Sequence, residues 1–110
     1  MKVAVSTAGN DLDSPLYQNF GRTPKFLLYE SVDETFTVVD NNESVETGQG
    51  AGTKTAEAVA RRGAQAVITG QCGPNALRVL EQAGLKVLNS NAATVREALV
   101  QFRFITGTRA

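Results

Sequence analysis

The chain has no histidine and no tryptophan, and only one cysteine and one methionine among its 110 residues. Without histidine it lacks the commonest metal ligand and the usual general base near neutral pH. One thiol cannot form an intrachain disulfide, and one thiol without an imidazole cannot build a conventional zinc site. Net charge is missing too: 11 basic residues balance 11 acidic ones, with no run of like charge. The basic footprint of a nucleic-acid binder is therefore absent. No apolar run approaches the roughly 20 residues of a transmembrane helix. Met1-Lys2-Val3 leads straight into a strand pattern with no signal-peptide region. These absences predict a soluble, cytoplasmic protein with neither nucleic acid nor membrane as partner. A hydrophobic content of 42% over this length fits one domain, 1–110, with a single core.

What is present is organised around residues 66–80, AVITGQCGPNALRVL. Ala66, Val67, Ile68 and Thr69 form a short β-branched run that Gly70 ends. Gly73-Pro74 reads as a helix opening, since proline at the first helical position gives up only an N–H that has no helical partner. This turn brings backbone N–H groups, the positive end of a helix dipole and the Cys72 thiol to one place, which suits an anion. The plainer alternative is a tight turn containing an ordinary small residue.

A second glycine-rich loop, Gly48-Gln49-Gly50-Ala51-Gly52-Thr53, has neither G-x-G-x-x-G nor P-loop spacing. It leads into a helix with Thr53 as expected N-cap and Ala56, Val59 and Ala60 on the apolar face. Residues 43–52 are predicted to be mobile until a ligand orders them. Arg22, between Gly21 and Pro24, either aims a planar cation at an anion or makes a surface ion pair. Asp11 and Asp13 read as turn formers rather than metal ligands.

Strands are predicted at residues 2–7, 25–30, 35–40, 66–69 and 85–88. Helices are predicted from Thr53 to a stop at Gly63, over 74–83 with Gly84 closing, and over 94–104, before a fraying tail. The order β-β-β-α-β-α-β-α implies an α/β fold, a mixed five-stranded sheet with three helices. A metal-dependent nuclease would need carboxylates converging from strand ends. The first and fourth strands end instead in Ser6-Thr7 and Thr69-Gly70.

Five segments stand out together: Lys2-Val3-Ala4-Val5, Asn19-Phe20-Gly21-Arg22-Thr23-Pro24-Lys25-Phe26, Gly50-Ala51-Gly52, Gly73-Pro74-Asn75-Ala76 and Ala83-Gly84-Leu85-Lys86-Val87. In combination they resemble the dinitrogenase iron–molybdenum cofactor biosynthesis family. The family includes carriers of nitrogenase cofactor assembly and the orange protein, which holds a molybdenum–copper sulfide cluster. The resemblance implies a ribonuclease-H-like fold and a non-catalytic protein binding an anionic metal–sulfur cluster without covalent attachment. That cluster would be of molybdenum–copper sulfide or iron–molybdenum–sulfur type, exchanged with a donating or receiving protein. Such an anion, sheathed in soft sulfides, needs N–H donors and cations around it. Arg22, Gly50, Gly52, Thr53, Gly70, Cys72, Gly73 and Asn75 are the residues expected to supply them. Cys72 would either coordinate one copper or iron or donate its S–H weakly. Where relatives often carry histidine, this chain has Gln18 and Asn19, so histidine ligation is excluded and weight moves from the nitrogenase cofactor toward another anionic cluster. A module that binds a phosphate-bearing metabolite or a protein through the same loops is the competing reading.

Overall fold

In the computed structural model, residues 1–42 and 50–105 are described. The expected mobility of residues 43–49 and the fraying of 106–110 lie outside them. β-Branched and apolar runs form five strands: β1 (Lys2–Thr7), β2 (Lys25–Glu30), β3 (Thr35–Asp40), β4 (Ala66–Thr69) and β5 (Lys86–Asn89). They make one sheet in the order β3-β2-β1-β4-β5. The β1-β2 and β2-β3 pairs are antiparallel, while β4 runs parallel to β1 and β5 parallel to β4. Among the described residues, the helices α1 (Ala51–Arg61), α2 (Pro74–Gln82) and α3 (Val95–Gln101) complete a mixed α/β architecture.

Because successive strand residues point to opposite faces, β1 feeds two separate cores. Ala4 joins Phe26, Leu28 and Val67 under α1 and α2, which contribute Ala56, Val59, Ala76 and Leu80. Val3 and Val5 join Leu27, Tyr29 and Ile68 under α3, which contributes Val95, Ala98 and Leu99. With both faces covered, β1 and β4 read as nearly continuous apolar runs rather than as alternating ones.

Element boundaries depart from the sequence expectation at α1, β5 and α3, and α2 ends at Gln82, one residue short of the expected Ala83. Helix α1 starts at Ala51, capped by Gly50 with φ of 82°. Thr53 is therefore the third helical residue and not the N-cap. The chain turns into the helix at Gly50 because glycine enters the left-handed region without a Cβ clash. Strand β5 begins at Lys86, since the Leu85 N–H is already bonded to the Leu80 carbonyl at 2.9 Å in closing α2. Helix α3 is shorter than predicted: it begins after Thr94, whose hydroxyl accepts the Glu97 N–H at 3.1 Å, and stops at Gln101. Arg103 adopts a φ of 66° there. The Phe104 N–H then bonds to the Leu99 carbonyl and the Arg103 N–H to the Val100 carbonyl, the paired bonds of a Schellman ending.

The loop after β1 closes one end of α3. Arg96 N–H and Val95 N–H donate to the Leu12 and Ser14 carbonyls at 2.7 and 2.9 Å. Asp13 pairs with Arg96 at 2.8 Å, and this hydrogen bond holds its carboxyl below the ordinary carboxylate value. Asp13 N–H in turn donates to the Asp11 carboxylate at 2.9 Å. The two acids thus act as turn formers.

Candidate functional site

In open α/β sheets ligands gather outside the carboxyl ends of the strands, where chain direction diverges from a central strand. Here that place lies beyond Thr7 of β1 and Thr69 of β4, since β1 has β2 on one side and β4 on the other. Buried hydroxyls tie these ends together: Ser6 Oγ lies 2.8 Å from Thr69 Oγ1 and 2.6 Å from the Tyr17 carbonyl.

The segment before β2 is fastened on top. Gln71 N–H donates to the Gln18 carbonyl at 2.6 Å, and Phe20 N–H donates to the Gln71 carbonyl at 2.9 Å. Asn19 and Gln71 thereby form a short parallel bridge that continues the sheet. A Cβ on Gly70 would strike the Gln18 side chain and come within 2.7 Å of the Gln18 carbonyl oxygen, so glycine at position 70 is what admits this segment. Buried Phe20 opens a single 3₁₀ turn, Phe20–Arg22, that ends with exposed Arg22. The turn is fixed from below by Asn41, whose buried amide donates to the Thr23 carbonyl at 3.0 Å and to Thr55 Oγ1 of α1 at 2.9 Å.

Between this turn and the starts of α1 and α2 lies a cleft of about 330 Å³. Its walls are Asn19, Gly21 and Arg22 from the turn, Gly50, Ala51, Gly52 and Thr53 from α1, and residues 73–76 from α2. The first helical bonds run from Lys54 N–H to the Gly50 carbonyl and from Leu77 N–H to the Gly73 carbonyl. The N–H groups of Ala51, Gly52, Thr53, Asn75 and Ala76 therefore stand ahead of the helical ladders. Among the described residues neither helix has a side-chain cap at its N-cap. Each helix start carries about half a positive charge, and the Arg22 guanidinium stands at the same wall. Among the described residues no acidic side chain lines it.

Six of the eight residues expected from the sequence line this cleft: Arg22, Gly50, Gly52, Thr53, Gly73 and Asn75. Gly70 and Cys72 do not. Gly70 sits under Gln18, and Cys72 is half-buried and packed against the core beneath α1 and α2. Burial pushes the Cys72 thiol up, whereas a position ahead of a helix start leads one to expect a thiol favouring its thiolate form. Desolvation prevails because the side chain turns toward the core. Asn19, Gly21, Ala51, Pro74 and Ala76 join the site although they stand outside the sequence-derived set. Among the described residues no group of three or more acidic, cysteine or histidine side chains gathers to hold a metal ion, and no helix is long and apolar enough to cross a membrane.

Fold and cleft define a small α/β protein with a crevice at the strand ends lined by two helix starts and Arg22. The chain belongs to the dinitrogenase iron-molybdenum cofactor family, whose model matches residues 1–103. The apo form of the orange protein from Desulfovibrio gigas superposes with a TM-score of 0.89 at 34% identity, covering 93% of this chain and 86% of that one. A NifB-like protein from Thermotoga superposes with a TM-score of 0.81 at 30% identity over the same shares, 93% and 86%. An uncharacterized protein of Methanocaldococcus jannaschii is 32% identical over 107 residues, 93% of this chain and 85% of its own length.

Proposed function

We propose that this protein is a non-catalytic carrier that holds an anionic metal–sulfur cluster in the cleft, of molybdenum–copper sulfide or iron–molybdenum–sulfur type. The observation that carries the reading is the convergence of two uncapped helix starts and Arg22 on one crevice without a lining carboxylate among the described residues. Family membership and likeness to the orange protein support a cofactor-binding role. The lining offers one hydroxyl, Thr53, and no thiol, imidazole or carboxylate among the described residues, a set suited to holding an anion rather than to turnover. Among the described residues it supplies no soft inner-sphere ligand. The cluster therefore enters with its metals already saturated by sulfide, and the protein recognises its outer atoms through N–H groups and the guanidinium.

In this reading Arg22, Gly52, Thr53 and Asn75 touch the cluster, while Gly50 and Gly73 shape the entries of the two helices. Gly70 and Cys72 act from behind the wall, the first by admitting Gln18 and the second by packing. The sheet order, with β2 alone antiparallel to both its neighbours, is read as ribonuclease-H-like. The exposed mouth of the cleft suits transfer of the cluster to or from a second protein, in the cytoplasm.

Mixing the apo protein with tetrathiomolybdate and copper tests the proposal. The expected result is a coloured complex that stays with the protein through gel filtration and moves the amide signals of Gly52, Thr53 and Asn75 together. Colour that separates from the protein, with the same amides moved by inorganic phosphate, would replace the cluster by a phosphate-bearing metabolite.

A further inference from the structure

The three walls of the cleft meet where side chains are missing or minimal. A Cβ on Gly21 would lie 2.9 Å from the Gly52 Cα and 3.2 Å from the Gly52 nitrogen. A Cβ on Gly52 would lie 3.3 Å from the Ala76 Cβ and 3.9 Å from the Gly21 Cα. Neither glycine is demanded by backbone conformation, since among the described residues the glycines with positive φ are Gly50, Gly63 and Gly84. What requires glycine at position 21 is close approach alone. A methyl group there would meet backbone, which cannot rotate aside as a flexible side chain does, so the first turn of α1 would have to move.

We propose that Gly21 is a positioning residue that sets the width of the cleft and thereby the size of anion it selects. The inference rests on the reading of the cleft as an anion site. Contact between Gly21 and Gly52 fixes how far the leading N–H groups of α1 stand from Arg22 on one side and from the N–H groups of Asn75 and Ala76 on the other. Hydrogen bonds to an anion weaken within a few tenths of an ångström of stretch and with loss of alignment. A cleft pushed wider keeps its donors in reach of a large anion and loses them for a small one.

The experiment compares molybdate with the larger tetrathiomolybdate by calorimetry, in the unaltered protein and in Gly21→Ala, Gly52→Ala and Gly52→Ala combined with Ala76→Gly. Gly21→Ala should lose about tenfold in affinity for molybdate and much less for tetrathiomolybdate, so that the ratio of the two moves. Gly52→Ala should move it less, because its 3.3 Å contact is with a methyl group. Removing that methyl with Ala76→Gly should return the ratio to its original value. The Gly52 pair also carries the test if Gly21→Ala does not fold. Both affinities falling in proportion, with the ratio fixed, would mean a merely structural role and would overturn the inference about Gly21. If neither anion binds the unaltered protein, the anion reading of the cleft falls, and the role of Gly21 falls with it.

Discussion

At the scale of single residues, the cleft concentrates its formal charge in one side chain. Arg22 is the only ionisable residue lining it among the described residues, and it lies exposed at the end of a 3₁₀ turn. The turn is held by buried Phe20 and Thr23 and by the Asn41 amide. Arg22→Ala should therefore separate binding from folding. A charge-assisted hydrogen bond contributes about 1.5–3 kcal/mol, so cluster affinity should fall by roughly 10- to 100-fold. Stability should stay within about 0.5 kcal/mol, as for most surface substitutions. Parallel denaturant melts and cluster titrations check this, and a large loss of stability with normal binding would make Arg22 structural. Residue identity placed Arg22 in a fixed turn, since glycine precedes it and Pro24 follows close behind, and that turn forms a wall of the cleft. It misled at Cys72, because adjacency to a helix start is visible in sequence and the direction of the side chain is not. Gly21 shows the same limit: its partner Gly52 belongs to another element, and only the folded chain brings the two backbones into contact.

Among the elements, the helix ends show what local sequence specifies. Helices α1 and α2 both close through a left-handed glycine, Gly63 with φ of 84° and Gly84 with φ of 85°. Glycine after an apolar-periodic run is a strong stop signal, and both stops were readable. Helix α3 closes with the same pair of hydrogen bonds, but through Arg103. With no glycine to mark the stop, the apolar spacing of Val95, Leu99 and Phe102 runs on past the true end. The bond from Phe104 to Leu99 prevails because Phe102, Phe104 and Ile105 pack against the core beneath α3, a tertiary gain that periodicity does not register. The left-handed conformation costs a non-glycine residue about 1–2 kcal/mol, partly offset by the backbone freedom glycine loses on folding. Arg103→Gly should consequently stabilise the protein by up to about 1 kcal/mol, raising the melting temperature by a few degrees. Calorimetry would show this directly. A lowered melting temperature would mean that the Arg103 side chain makes contacts worth more than the relieved strain.

For the molecule as a whole, the sheet separates the cleft layer of α1 and α2 from the α3 layer, and each has its own core. The two layers also differ at their helix starts. The leading N–H groups of α3 are taken by the Leu12 and Ser14 carbonyls, with Thr94 as side-chain cap, whereas α1 and α2 present theirs to the cleft without side-chain caps. One layer is closed by the chain itself, and in the proposed function the other is completed by a ligand. Stability and binding should then respond independently. Thr94→Ala removes the cap of α3 and should cost about 1 kcal/mol. A cluster at a hundredfold its dissociation constant should add about 2.7 kcal/mol to either protein, since α3 and the cleft helices pack in separate cores and independent sites add to within roughly 0.3–0.5 kcal/mol. Thermal melts of both proteins, with and without tetrathiomolybdate and copper, measure the two increments. Equal increments place the ligand on the α1 and α2 side alone. An increment that shrinks in Thr94→Ala by more than the additivity error would mean that the ligand also engages the α3 layer, and the crevice between the two open helix starts would no longer account for binding by itself.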